Sequence, residues 1–174
     1  MTHLLYPGNE HVIDAVVAKL IDSLDAYIAA INDRDTKGIV LGEVPADRIF
    51  DYPPTIREIV DFPALGVAEL PSGGWTQDVG DDATAEHAFA IICFDQDPEQ
   101  QRLTTKLRRL RQAVYSCVMD GRKIDHPTDP MLGAWGVRFE GYRPGRTLGI
   151  GDDPRSWISW TSVAFTALAE DHPT

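Results

Sequence analysis

Two cysteines in 174 residues, Cys93 and Cys117, are too few for a disulfide framework or a four-thiolate zinc site. No run of about 18 apolar residues occurs, so nothing in the chain is expected to span a membrane. The N-terminal residues Met1-Thr2-His3-Leu4-Leu5-Tyr6-Pro7 lack the basic and apolar regions of a signal peptide, and the protein is expected to stay in the compartment where it is made. Internal repeats and low-complexity tracts are absent. Basic side chains are scarce, 16 against 27 acidic ones, for a formal net charge of −11. What is present is ordinary for a globular chain: 43% apolar and 25% charged residues. At roughly 100–200 residues per domain, residues 1–174 are expected to form one domain.

The charge is uneven. Residues 1–101 carry 19 acidic and 5 basic side chains, whereas residues 102–174 carry 8 acidic and 11 basic ones. The acidic part, net −14, would repel phosphates, which argues against a nucleic-acid clamp. The same split suits head-to-tail contact between copies, although folding can also intermix the two parts.

Hydrophobic spacing defines the elements. Ile13, Val16, Val17, Leu20, Ile21, Leu24, Tyr27, Ile28 and Ile31 recur at helical intervals, predicting an amphipathic helix from Glu10 to Ile31. Ile39-Val40-Leu41 reads as a short strand, and Pro45, Pro53, Pro54 and Pro63 interrupt any long regular element between it and Ala64. Ala64–Leu70 is a plausible strand. Pro71–Ala85 has turn composition and reads as a long exposed loop in which Trp75 is a contact candidate. Glu86–Phe94 is apolar on both faces, as in a central strand covered on two sides. Asp97 as N-cap and Pro98 at the first helical position open a second helix running to about Val118, with Gly121 as its stop. Trp135, Val137 and Phe139 alternate with polar residues in a strand with one wet face. Gly141–Pro154 holds four glycines and two prolines and reads as a flexible arm. Trp157–Leu168 is a long strand, apolar on both faces, that either crosses the middle of the sheet or is finished by another chain. The expected fold class is α+β: a mainly antiparallel sheet with two amphipathic helices packed on it and long loop arms.

Catalytic chemistry finds no support in these residues. None of His3, His11, His87, His126 and His172 stands at ligand spacing with another ligating residue, so no metal is expected. A nucleophile elbow is missing, and Cys93 and Cys117 lie on apolar faces. The glycines of Gly145–Gly151 lack the strand–loop–helix context of a phosphate loop, and Asp81-Asp82 and Asp152-Asp153 are ordinary turn chemistry. No cofactor is expected. The second helix instead carries Arg102, Lys106, Arg108, Arg109 and Arg111, and Arg102, Lys106 and Arg109 share a stripe through their spacing of four and three. Such a ridge suits an acidic protein surface, though a solvated helix face is the commoner outcome of the pattern.

The order and texture of four segments resemble the small tail-terminator and tail-completion proteins of long-tailed bacteriophages. These are the opening helix VIDAVVAKLIDSLDAYIAAI, the strand and capped helix HAFAIICFDQDPEQQRLTTKLRRLRQAVYSCV, the strand GAWGVRFEGYRPG, and the last strand WISWTSVAFTAL. The resemblance covers Glu10 to Leu168 and rests on no single diagnostic residue. It implies a non-enzymatic virion subunit that forms a hexameric ring at the head-proximal end of the tail tube. There it would stop tube polymerisation and offer a docking surface to the head connector protein, with the tail-tube protein as its other partner. DNA would pass through the lumen without specific binding. The subunit would reside in the virion neck, and in the host cytoplasm during assembly. Another neck component, such as a head–tail connector or adaptor, or a small ligand-binding domain, is the alternative. Candidate contact residues are Trp75, Arg102, Lys106, Arg109, Arg143, Arg146, Trp157 and Trp160.

Overall fold

A computed structural model describes residues 9–71, 76–77, 83–128, 134–149 and 157–169. It contains helix α1 (Asn9–Asn32), strands β1 (Ile49–Phe50), β2 (Ala64–Glu69), β3 (Thr76–Gln77) and β4 (Ala83–Asp97), helix α2 (Gln100–Met119), and strands β5 (Lys123–Asp125), β6 (Ala134–Gly149) and β7 (Trp157–Ala169). The strands form a sheet in the order β1-β2-β4-β7-β6-β5, with β3 paired to the start of β4. All pairings are antiparallel except β1 with β2, so the α+β expectation holds and the sheet is mixed by one short parallel pair.

The sheet curls into a half-barrel. Helix α2 lies on its central strands β4 and β7, while α1 packs against α2 and touches β1 and β2 on one side and β5 on the other. The expected stripes fill this trough: Ile13, Val16, Leu20, Leu24 and Ile28 from α1, and Leu103, Leu107, Leu110, Val114, Cys117 and Val118 from α2. Ile21 departs from the stripe and stands half-exposed. Lys19 of α1 reaches the end of α2, where Nζ donates to the carbonyls of Asp120 at 2.8 Å and Lys123 at 2.7 Å. A cation there complements the C-terminal end of the helix and ties it to the start of β5.

Four expectations need correction. Ile39–Leu41 is not a strand, because side chains take its backbone groups: Asn32 exchanges hydrogen bonds with Leu41 N and O, and Asp35 Oδ2 accepts from Ile39 N at 2.6 Å. Asp97 is not the helix cap but the last residue of β4, and α2 begins at Gln100. Its carboxylate still accepts from Glu99 N, at 3.0 Å.

The third concerns Gly141–Pro154, of which residues 141–149 are strand. β6 continues along β7 to the pair Gly149–Trp157 through two irregularities, between Phe139 and Gly141 and between Pro144 and Thr147. The first leaves Glu140 unpaired, so that Phe139 opposite Phe165 and Tyr142 opposite Val163 both face the helices. The expected loop Pro71–Ala85 is also strand where it is described, at Thr76–Gln77 and from Ala83 onward, because these two pieces pair with each other; residues 72–75, including Trp75, 78–82 and 150–156 lie outside the described residues. β7 runs between β4 and β6 in the middle of the sheet, one of the two placements its doubly apolar pattern allows.

A smaller cluster covers part of the face away from the helices. Ile59, Ala64 and Phe94 pack there with Phe50, Ile56, Phe62, Ile92 and Trp160. The chain at residues 52–54 crosses β2 at Gly66, where a β-carbon would stand 2.4 Å from Pro54 Cδ and 2.9 Å from the Tyr52 carbonyl oxygen. Because backbone as well as ring must give way, Gly66→Ala should destabilise the fold by about 1–3 kcal/mol. A urea unfolding midpoint equal to that of the wild type would show that residues 52–54 do not press on β2.

Candidate functional site

The basic stripe of α2 is not the free ridge its spacing suggested. Arg102 Nε lies 3.4 Å from Asp97 Oδ2, and Lys106 Nζ lies 3.1 Å from Asp95 Oδ1 and 3.6 Å from Asp97 Oδ2. Lys106 also donates to the Gln96 carbonyl at 2.9 Å. Arg109 donates to Asp35 and to the Ile39 carbonyl, fastening the segment after α1 to α2. Lys106 and Arg109 are largely covered. This stripe joins α2 to its own chain.

Asp35 is held down to about 2 by the hydrogen bond from Arg109, helped by the Lys37 and Ile39 amides. Its folded pKa lies below its ordinary 3.8, so the stability it adds is present above that value and is lost as pH falls through about 2. Asp35→Asn should therefore lower stability at neutral pH and flatten the acid limb of the stability–pH curve between those two values. Unfolding midpoints collected across that range test it, and an unchanged acid limb would remove Asp35 as its source.

A second stripe of α2, Thr104, Arg108 and Arg111, has the same spacing of four and three but points toward β6 and β7. With Pro144, Gly145 and Thr147 of β6 and Ser159, Trp160 and Thr161 of β7, it lines a groove of about 340 Å³. Arg108 is exposed and has no acidic partner among the described residues. Arg111 lies 4.1 Å over the Tyr142 ring, a cation–π contact that fixes its guanidinium without neutralising it. Gly145 is required on the β6 side, since a β-carbon there would meet the Trp160 carbonyl oxygen at 2.3 Å and its indole at 2.4 Å. The lining hydroxyls are tied to the β6 backbone: Thr161 Oγ1 donates to the Arg143 carbonyl at 3.1 Å, and Ser159 Oγ reaches the Arg146 carbonyl at 3.4 Å.

Arg143 and Arg146 are exposed on β6, with no side-chain ion pair among the described residues. Trp157 packs against the main core, whereas Trp160 joins the smaller cluster and borders the groove, so the two tryptophans serve opposite faces. The structure thus gathers Trp160 with the backbone of Arg143 and Arg146 near one groove, and directs Arg102, Lys106 and Arg109 elsewhere. Reading the helix alone missed Arg108 and Arg111 as the pair without an acidic partner among the described residues. The signal lay in Asp35, Asp95 and Asp97, three carboxylates matching three of the five cations.

Burial pushes the Cys93 thiol up to about 12 and Cys117 up to about 11, which leaves neither nucleophilic at neutral pH. Among the described residues no group of three His, Cys, Asp or Glu side chains is placed to hold a metal ion. No described helix is long and apolar enough to cross a membrane.

No family model and no curated protein matches the chain. Among solved structures it is similar to a chain from the virion of a native gene transfer agent particle, at 15% identity and a TM-score of 0.40, covering 86% of this chain and 96% of that one.

Proposed function

We propose that the protein is a virion structural subunit of the tail-terminator kind, which closes into a ring on the head-proximal end of a tail tube, stops tube growth and receives the head connector. The element order on which the sequence resemblance rests is kept in the fold. The observation that carries the reading is the outer edge of β6. Strand β5 covers only Ala134–Gly136, so from Val137 to Gly149 no described strand pairs that edge. Along it stand exposed Tyr142 and Leu148, two bulges, Pro144, and the cations Arg138, Arg143 and Arg146. Bulges, proline and charge resist simple strand addition and thus open-ended fibres, while the apolar residues favour a shaped side contact. That combination suits a subunit whose neighbours are fixed by ring closure.

In such a ring the acidic residues of 1–101 would line the lumen and repel passing phosphates, so DNA slides without sticking. Purified protein added to polymerising tail-tube subunits tests the reading. The expected result is tubes of limited length, each ending in a ring seen by electron microscopy. Rings without any effect on tube growth would transfer the protein to another neck position, and a lumen lined by lysine and arginine would end the sliding-surface idea.

A further inference from the structure

We propose that the apolar groove on the face of the sheet away from the helices receives Leu148 of a second copy of this chain, with that copy's Arg143 and Arg146 over its acidic rim. The inference rests on the ring reading and names the contact that closes it.

This second groove, of about 260 Å³, lies between Pro54, Thr55 and Ile56 of the chain that crosses β2 and Ile92, Phe94 and Trp160 of β4 and β7. It opens into the smaller apolar cluster, and exposed Tyr52 and Val60 extend apolar surface along the same segment. Apolar surface left to water in this way marks a contact. Its rim is acidic. Residues 43–61 carry five acidic and two basic side chains, and one of the two, Arg48, lies 3.7 Å from Asp61. Glu58 is fixed beside the mouth, where its Oε2 accepts from Thr55 N at 2.6 Å and from Thr55 Oγ1 at 2.8 Å. Those hydrogen bonds hold its carboxyl below the ordinary range and keep it ionised. The fitting occupant is an apolar side chain with cations beside it.

Strand β6 carries that pattern. Ile158, Trp160 and Ser162 alternate along β7 and share one face. Leu148 pairs with Ile158 and Arg143 with Ser162, so both stand on the face that Trp160 occupies. Leu148 is 44% exposed, and Arg143 and Arg146 are exposed beside it. Residues 137–148 carry three basic side chains and one acidic. An arginine stem covers apolar surface while its guanidinium reaches a carboxylate. The groove of the same subunit is out of reach, because β6 is paired alongside β7 and its side chains stand next to Trp160, not over Phe94. Strands β4 and β7 separate β6 from β2, which the acidic segment crosses. Complementary surfaces on opposite flanks of one sheet meet between subunits, head to tail, which is the contact that generates rings.

Two variants of the full chain test the contact, one for each side. Leu148→Asp puts a carboxylate on the inserted side chain, and Thr55→Arg fills the mouth of the groove and neutralises Glu58. Both positions are exposed, so both proteins should melt close to the wild type. Sedimentation over a range of concentration should show wild-type association that weakens as salt rises, and a loss of about tenfold or more in each variant. Leu148→Asp keeps a sound groove and Thr55→Arg a sound β6, so the two, once mixed, should pair one to one and grow no further. If Thr55→Arg melts early, Glu58→Gln, which leaves Thr55 an acceptor, replaces it and should weaken association and reduce its dependence on salt. A wild type that stays monomeric up to about 1 mM, unchanged association in a variant of either side, or variants that fail to pair each overturns the proposal. Tube-length control is scored separately: if it fails while the variants still pair as expected, the terminator reading falls and this contact stands.

Discussion

Replacing Lys106 with methionine should cost the fold about 3–5 kcal/mol. The lysine stem fits methionine in length, so the loss comes from the ammonium. At 14% exposure it sits 3.1 Å from Asp95, itself 1% exposed, and 3.6 Å from Asp97, 8% exposed. Without it, two nearly buried carboxylates two residues apart on β4 face the same way, with only half-exposed Arg102 to offset them. A buried pair is worth little against apolar residues, but half of one is costly. Asp95→Asn leaves Lys106 with Asp97 and the Gln96 carbonyl and removes a carboxylate whose charge burial already disfavours, so it should stay within about 1 kcal/mol of the wild type. The double variant K106M/D95N should regain most of what K106M loses, a non-additivity expected of residues in contact. Urea unfolding of the four proteins decides the matter. A double variant as weak as K106M would assign the loss to packing of the stem.

The same site sets a pH signature. Burial pushes Asp95 up, and the neighbouring Lys106 only partly pulls it back. Its Oδ2 is buried without a hydrogen-bond partner among the described residues. Since the folded carboxyl binds its proton more tightly than the unfolded one, the ionised form weakens the fold, and that penalty is relieved as pH falls through the folded pKa. The deficit of K106M should shrink in the same direction. Asp35 acts oppositely, so a wild-type acid profile combines a gain from Asp95 with a loss from Asp35, and the D95N and D35N variants separate them.

Local pattern carried both helices, whose apolar residues repeat at helical spacing, and the cores of β4 and β7, which are runs apolar on both faces and rich in β-branched and aromatic residues. It failed where partners far along the chain decide. Gly141, Pro144 and Gly145 look like loop residues, yet β7 supplies a continuous partner that absorbs them as bulges, and Gly145 is there to let Trp160 approach. Ile39–Leu41 has the composition of a strand but gives its amides to Asn32 and Asp35. The cations of α2 show the limit most clearly. Spacing sorted them correctly into stripes, but Asp35 lies 74 residues from Arg109, and no helical periodicity says which stripe will meet it. The groove was legible only as the remainder left once those acids are assigned.

Phe165→Ala should remove about 3–5 kcal/mol, through a row of aromatic rings that crosses the sheet. Phe89, Phe165 and Phe139 stand opposite one another on β4, β7 and β6. The Phe165 ring stacks on Phe89 at 5.4 Å and meets Phe139 edge-on at 6.1 Å; Phe139 in turn meets Tyr115 of α2 at 5.0 Å. Phe165 is fully buried, so truncation forfeits its transfer free energy together with contacts on both sides. Strands β4 and β6 are held to β7 along most of their lengths and cannot close in, so a cavity remains. An apolar cavity of this kind stays dry and accepts small aromatic ligands. Benzene should accordingly raise the melting temperature of Phe165→Ala and leave that of the wild type unchanged, by binding the folded state alone. Phe165→Leu, which keeps most of the buried surface, should lose clearly less and show no response to benzene. A loss below about 1 kcal/mol in Phe165→Ala would mean that the half-barrel repacks around the gap. The row would then be a consequence of strand register, not the support that keeps the long β6–β7 hairpin in place for its neighbours.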